Sequence, residues 1–171
     1  MKQRTAILTL FILFAAFANL AAQKEPLYSQ YMFDRVLVNP AYAGSSNWVV
    51  GSLKYRQHMS GIEGAPVTQL FSFHAPLQKK SMGLGLTSSY DKTAVNNTLS
   101  FSGIYSYHIG FGNGKLSFGL EAGLVHSMTD FTDLVRYDND DLSIPEGAEA
   151  VLVPDASTGI YYQTEKFYAG A

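Results

Sequence analysis

Apolar and polar side chains alternate along this chain, and the pattern is cleanest between Lys115 and Met128. The apolar positions share one parity and are Leu116, Phe118, Leu120, Ala122, Leu124 and Met128. Successive side chains of a strand lie on opposite faces, so the segment predicts a strand with one apolar and one small, polar face. It is longer than the ~9–11 residues with which a strand crosses hydrocarbon. The pattern therefore predicts a lipid-facing wall, with the polar face lining a barrel.

Six further segments carry the same alternation, the last two more weakly. They are Asn47–Gln57, Pro66–Pro76, Ser81–Asp91, Thr98–Ile109, Ser157–Gln163 and a run that starts near Phe167. Ser, Thr and Gly dominate the polar face, which carries few charges. A soluble sandwich instead packs its apolar face on a second sheet and turns its polar face to water. The pattern therefore favours an all-β fold, an antiparallel, up-and-down transmembrane β-barrel.

The connections between these segments set the predicted topology. Outer-membrane barrels have short periplasmic turns and longer external loops. The odd connections are predicted at 58–65, 92–97 and 129–156, and the even ones at 77–80, 110–114 and 164–166. Each odd connection is longer than its even neighbours, so the even ends are predicted to face the periplasm. The string Gly-Phe-Gly-Asn-Gly at 110–114 suits a hairpin turn with positive φ.

The first 22 residues have the layout of a secretory signal peptide. Lys2 and Arg4 precede the apolar stretch Ala6–Ala18, and the small residues Ala21 and Ala22 follow. An uncleaved anchor is the alternative, but a membrane-spanning helix needs about 20 apolar residues. The sequence thus predicts three parts: a signal peptide at 1–22, a periplasmic segment at 23–46 and a partial outer-membrane barrel at 47–171.

Composition excludes several kinds of chemistry. The chain has no cysteine, which excludes disulfide scaffolds, thiolate metal sites and cysteine nucleophiles. The net charge of −2 and the lack of a basic patch give no support to nucleic-acid binding. The four histidines, His58, His74, His108 and His126, lack helical i, i+4 spacing, so no metal site is predicted. No nucleophile elbow marks a serine. We expect no catalytic residue, no metal and no cofactor.

Charged residues stand at three inward positions of the predicted strands, Lys54, Arg56 and Glu121. They predict either a function in the lumen, as a plug contact or a constriction, or an inner salt-bridge pair. The salt-bridge pair is the favoured interpretation, because buried charges generally need partners. The acidic connection at 129–156 predicts a calcium site, a partner-docking loop or a solvated surface loop. The twelve-residue spacing of a calcium loop is missing from it.

Residues 23–46 do not alternate, yet they are too apolar for a free tail. We expect them to pack against the periplasmic mouth of the barrel, its lumen or a partner. The strings Tyr28-Ser29-Gln30-Tyr31-Met32-Phe33 and Val38-Asn39-Pro40-Ala41-Tyr42-Ala43-Gly44-Ser45 resemble the start of PorP/SprF family proteins. That family belongs to the type IX secretion and gliding machinery of Bacteroidetes. Tyr55-Arg56-Gln57, Gly64-Ala65-Pro66 and Thr68-Gln69 extend the resemblance, which covers nearly the whole chain after the signal peptide.

The resemblance implies an outer-membrane barrel of about fourteen strands, in proteins roughly twice as long as this one. Single-chain barrels have an even strand count, so six strands and part of a seventh predict a fragment or a truncated product. The partner-binding residues that the resemblance implies are Tyr31, Asn39, Pro40, Ala41, Tyr42, Gly44, Tyr55, Arg56, Gln57, Pro66, Thr68 and Gln69. The implied partners are outer-membrane lipid, periplasmic components of the secretion machinery and a large secreted adhesin. We expect docking or anchoring without bond chemistry.

Three alternatives stay open at this point. A passive, porin-like channel would use the same strands around an open lumen. A secreted, soluble β-sandwich would bind a ligand and would cover its apolar face with a second sheet. A barrel enzyme, such as a lipase or a protease, would need a reactive serine.

Overall fold

The computed structural model describes residues 33–59, 61–62, 64–77, 81–131 and 147–171. They form seven strands: β1 (Val50–Gln57), β2 (Val67–Pro76), β3 (Met82–Thr93), β4 (Asn96–Phe111), β5 (Gly114–Asp130), β6 (Ala148–Gln163) and β7 (Tyr168–Gly170). Two short 3-10 turns, Arg35–Leu37 and Pro40–Tyr42, precede the first strand. The predicted signal peptide at 1–22 lies outside the described residues.

The strands form one antiparallel sheet in which each pairs with its neighbours in the sequence, in the order β1 to β7. The two longest ladders join β5 to β4 and to β6, and the first of them runs from Asn96 opposite Thr129 to Phe111 opposite Gly114. This up-and-down half-barrel confirms the predicted fold class. Among the described residues, no helix has the length and hydropathy needed to cross a membrane.

The two faces of the sheet differ as the alternation predicts. Large apolar side chains cover one face and are exposed, among them Leu53, Phe71, Leu86, Phe101, Tyr105, Leu120, Leu124 and Ile160. Hydroxyl-bearing and small side chains line the opposite, inner face, where Ser72, Ser106 and Ser117 are buried. The described residues supply no second sheet to cover the apolar face. The single sheet of the described residues agrees with the barrel prediction and not with two packed sheets.

The connection between β3 and β4 is shorter than predicted. The third was predicted as a loop at 92–97, but β3 and β4 are joined by the two residues Ala94 and Val95. Asn96 and Asn97, which lie inside the predicted loop, pair with Thr93 and Lys92. The third connection is therefore shorter than the second, and the predicted ordering of lengths is wrong there. The fourth is a hairpin turn in which Gly112 has a φ of 57°, as predicted.

The sixth strand begins nine residues before its predicted start at Ser157. Val151, Leu152 and Val153 are consecutive apolar residues followed by Pro154, so this half has no period of two. It forms a strand because it pairs with β5, from Ala148 opposite Asp130 onward. The fifth connection is correspondingly shorter than predicted. Residues 132–146, which hold most of its acidic side chains, lie outside the described residues.

The small hydrophobic core lies on the inner face of the sheet. Its buried members are Val36, Ala43 and Ile104, and Tyr42 packs against them. Three of these four residues belong to residues 33–46, here called the inner segment. The inner segment therefore fills the concave side of the sheet near the end where the even connections lie.

Candidate functional site

The inner segment folds locally through an asparagine and a proline. Asn39 is extended, with a φ of −145° and a ψ of 112°, as expected for a residue before proline. Its side-chain Oδ1 accepts a hydrogen bond of 2.9 Å from the backbone N–H of Ala41. Pro40 stands at the first position of the 3-10 turn, where its missing N–H costs nothing. The pair Asn39-Pro40 thus fixes where the turn starts, and Pro40 and Ala41 become buried.

The inner segment lies across the strands on a row of small residues. Gly83 of β3 is opposite Ser106 of β4, Ser106 is opposite Gly119 of β5, and Gly119 is opposite Gly159 of β6. We call these four residues the small-residue row. Because neighbouring strands are about 4.8 Å apart, the row spans about 14 Å across the sheet.

Each glycine of the small-residue row contacts a different part of the inner segment. A methyl group on Gly159 would overlap the side chain of Asn39, one on Gly119 would overlap Pro40 and Ala41, and one on Gly83 would overlap Ala43. None of these glycines has a positive φ. They are therefore required by the close approach of the inner segment and not by their own backbone conformation.

Two polar side chains of the sheet bind main-chain atoms of the inner segment. The hydroxyl of Ser106 donates a hydrogen bond to the carbonyl oxygen of Ala43. The backbone N–H of Gly44 donates to Nδ1 of His74, at 3.2 Å. Gly44 has a φ of 69°, a conformation that glycine adopts without strain.

His108 lies between Ser106 and Ser117 on the inner face of the sheet. Its Nδ1 lies 2.7 Å from Oγ of Ser117, and its Nε2 lies 3.3 Å from Oγ of Ser106. A hydroxyl has one hydrogen, and Ser106 gives its own to Ala43. Nε2 of His108 therefore donates to Ser106, and Nδ1 of the neutral ring accepts from Ser117. This buried chain orients Ser106 toward the inner segment.

Arg35 and Asn39 bind the last two strands. The guanidinium of Arg35 donates to the hydroxyl of Tyr161 at 3.0 Å and lies 4.1 Å from the ring centroid of Tyr168. Nδ2 of Asn39 donates to the carbonyl oxygens of Ile160, at 3.0 Å, and Ala171, at 3.3 Å. The inner segment therefore bridges β6 and the edge strand β7.

Asp34 binds the opposite side of the sheet. Its Oδ2 lies 3.3 Å from Nζ of Lys54 on β1, an ion pair whose geometry falls outside that of a hydrogen bond. Both carboxylate oxygens also accept from the hydroxyl of Ser72 on β2, at 2.8 and 2.9 Å. Adjacent residues Asp34 and Arg35 thus contact opposite ends of the seven-stranded sheet, which curves around the inner segment.

Two of the three inward charges predicted from the sequence contact different partners. Lys54 pairs with Asp34, whereas Glu121 accepts hydrogen bonds from Thr87, at 3.0 Å, and Ser157, at 3.1 Å. Lys54 therefore contacts the inner segment, as the plug-contact interpretation expects. Within the described part of the chain, no group of three or more potential metal ligands comes together.

The residues implied by the family resemblance fall into two groups at opposite ends of the strands. Asn39, Pro40, Ala41, Tyr42 and Gly44 belong to the inner segment. Tyr55, Arg56, Gln57, Pro66, Thr68 and Gln69 lie at the far end of the β1–β2 hairpin, where Tyr55 is opposite Gln69 and Arg56 is opposite Thr68. Thr68 donates a hydrogen bond of 2.6 Å to Asp91. Tyr31 lies outside the described residues.

The sequence prediction missed the sheet residues that hold the inner segment. Gly83, Gly119, Gly159, Ser106 and His74 have the parity of the polar face, but nothing in the alternation separates them from its other small residues. The predicted loop at 129–156 would not have placed Gly159 opposite Gly119, because the sixth strand begins nine residues before its predicted start. Only the observed strand register brings these residues into one row.

The side of the inner segment that faces away from the sheet is apolar. Phe33 is 77% exposed and Val38 is 57% exposed. Val38 adjoins Asn39, whose side chain binds Ile160 near the end of the sheet where the even connections are, so the inner segment presents uncovered apolar side chains.

Residues 20–171 match the family model described as type IX secretion system membrane protein PorP/SprF. No curated protein and no solved structure matches the chain. The family match covers most of the chain, including the inner segment and all seven strands. The chain belongs to the PorP/SprF family of type IX secretion system membrane proteins.

Proposed function

We propose that this protein is an outer-membrane β-barrel component of the type IX secretion and gliding machinery. A signal peptide at 1–22 would export it, and the even connections would face the periplasm. There it anchors or docks periplasmic components of the machinery, or assists the export of a large surface adhesin. The exposed apolar face of the sheet supports a position in lipid. Membership of the PorP/SprF family supports the machinery as its partner.

The observation that carries the docking role is the two-sided inner segment. Its family motif, Asn39 to Gly44, is engaged with the sheet, while Phe33 and Val38 are exposed on its other side. A soluble surface seldom leaves neighbouring large apolar side chains uncovered unless they bind something. We therefore propose that the motif anchors the inner segment, and that Phe33 and Val38 contact an apolar surface of a periplasmic component.

Replacing Phe33 and Val38 together with serine is expected to abolish co-purification of periplasmic machinery components and to impair secretion. The double variant removes the apolar contact but leaves the buried side of the inner segment unchanged. Barrel insertion, measured by outer-membrane fractionation, should stay at the wild-type level.

Met59→Ser with Ile62→Ser is the matched control, because these side chains are 66% and 60% exposed but lie at the opposite end of the strands. This control variant should still co-purify with the periplasmic machinery components, and secretion should stay at the wild-type level. Normal co-purification with the Phe33 and Val38 variant would overturn the docking role of these residues.

Leu120→Arg tests the proposed contact of the outer face with lipid. Leu120 lies six residues into β5, which on a strand tilted by about 45° places it about 14 Å from the turn along the membrane normal, near the centre of the hydrocarbon. Arginine there should lower the stability of the inserted protein by about 2–4 kcal/mol. The outward residue Phe111 lies at the end of β4, so Phe111→Arg should cost only about 0–1 kcal/mol. Urea unfolding in vesicles measures both, and equal costs would contradict a lipid-facing wall.

A passive channel remains the alternative function, and it needs an open lumen. The inner segment covers part of the concave face, which supports a docking role over steady conduction. Planar-bilayer recordings decide between the two. A silent protein agrees with docking, whereas a steady open conductance would favour the channel.

A further inference from the structure

The inner segment is held on the sheet by small side chains and by hydrogen bonds to its main-chain atoms. Its buried apolar side chains are small, namely Val36, Ala41 and Ala43, while its most exposed apolar ones, Phe33 and Val38, point away. The sheet recognises main-chain atoms at Ala43 and Gly44 through Ser106 and His74. Tyr42 is the one large ring of the inner segment that packs on the sheet, edge-on against His74 and Tyr161, while the exposed apolar side chains Phe33 and Val38 are available to a partner.

Charge and ring contacts fix the position of the inner segment at its two sides. Asp34 pairs with Lys54 and Ser72, and Arg35 contacts Tyr161 and Tyr168. All of these bonds are side-chain contacts that water or a partner can replace without unfolding a strand, since the strand ladders do not use these atoms. The sheet thus does not depend on the inner segment for its backbone pairing.

We propose that the inner segment is a releasable plug. Binding of an apolar partner surface to Phe33 and Val38 withdraws residues 39–44 from the small-residue row and uncovers the polar inner face. This inference rests on the proposed docking function, because the docked partner drives the release. In the absence of that partner, the inner segment stays seated.

Thiol labelling tests the release directly, because the chain has no native cysteine. Ser106→Cys places a thiol under Ala43, at a position that is 0% exposed. We expect a water-soluble maleimide to label it several-fold faster in cells with the complete secretion machinery than in cells without the machinery. Ser117→Cys, also buried, is the second probe should the first variant fold poorly. Gly110→Cys, on the same strand and exposed, is the control and should label fast in both.

Two results of the labelling would overturn the proposal. Slow labelling of both buried thiols in both kinds of cell, with Gly110→Cys fast, shows a plug that never leaves. Fast labelling in both shows that the inner segment is no plug at all. Neither result bears on whether Phe33 and Val38 bind the partner, since that is measured by co-purification.

A reversible lock supplies an independent test. The carboxylate of Asp34 touches the hydroxyl of Ser72, so Asp34→Cys with Ser72→Cys brings two thiols together on the inner segment and β2. A short, reducible bifunctional thiol reagent should block secretion while partner co-purification persists, and a reductant should restore secretion. The reduced protein is its own matched control. Wild-type secretion by the cross-linked protein would overturn release and leave docking intact.

Discussion

Gly119→Ala is expected to dislodge the inner segment from the sheet. The added methyl group would overlap backbone atoms of Pro40 and Ala41, which belong to a hydrogen-bonded turn and cannot move separately. Overpacking of this kind costs about 1–3 kcal/mol. A loss of stability is informative here, because replacing glycine with alanine inside a strand ordinarily stabilises the strand. Urea unfolding in vesicles should show the loss, and limited proteolysis should cut the inner segment while sparing the strands.

Gly110→Ala is the matched control for this experiment. It lies on the neighbouring strand, with the parity of the inner face, and a methyl group there meets nothing within 4 Å. Its stability should equal that of the wild-type protein or slightly exceed it. Should Gly119→Ala be equally stable and equally resistant to protease, the inner segment does not occupy the small-residue row in the membrane.

Asp34→Ala is expected to destabilise the protein by about 2 kcal/mol. It leaves the charge of Lys54 and the hydroxyl of Ser72 without their partner, and removing one member of a buried ion pair costs about 3–5 kcal/mol at full burial. The side chain of Lys54 is 21% exposed and that of Asp34 is 5% exposed. The ammonium nitrogen of Lys54 is itself buried, but the exposed part of its side chain lets it reach water once Asp34 is removed, which places the expected cost below that range.

Two companion variants separate the charge from the hydrogen bond. Asp34→Asn keeps an oxygen acceptor for Ser72 but removes the charge that faces Lys54. Its loss of stability measures the ion pair alone. Adding Lys54→Met to Asp34→Ala removes the uncompensated ammonium group and should recover most of the loss. If the double variant is no more stable than Asp34→Ala, then Lys54 is already solvated, and the ion pair does not hold the inner segment.

The sequence was sufficient to locate the strands whose two faces lie in different surroundings. From β1 to β5, period-two alternation located each strand within about three residues of its observed bounds. It failed for the first half of β6, because Val151, Leu152 and Val153 are apolar on both faces. Pairing with β5 makes that half a strand, and pairing is a tertiary property. The turn at Ala94 and Val95 was predicted as a wider loop, since it lacks the glycine or asparagine that marks positive φ.

The candidate site was only half predictable. The strings around Asn39 and Gly44 indicated that the inner segment packs against something, and the resemblance named the family. The surface that receives the inner segment could not be recognised, because Gly83, Gly119 and Gly159 lie in three strands separated by dozens of residues. Their alignment depends on register, and a shift of register by one residue would turn each of them to the other face.

By itself, the sequence determined the class of fold, the two faces of the sheet and the presence of a packed segment before the first strand. These are local properties, since alternation and the turn at Asn39-Pro40 are set by neighbouring residues. The tertiary structure decided that Asn39 to Gly44 lie against the sheet while Phe33 and Val38 face away. That outcome depends on the curvature and register of seven strands, which bring Asp34 to Lys54 and Arg35 to Tyr161 across the chain.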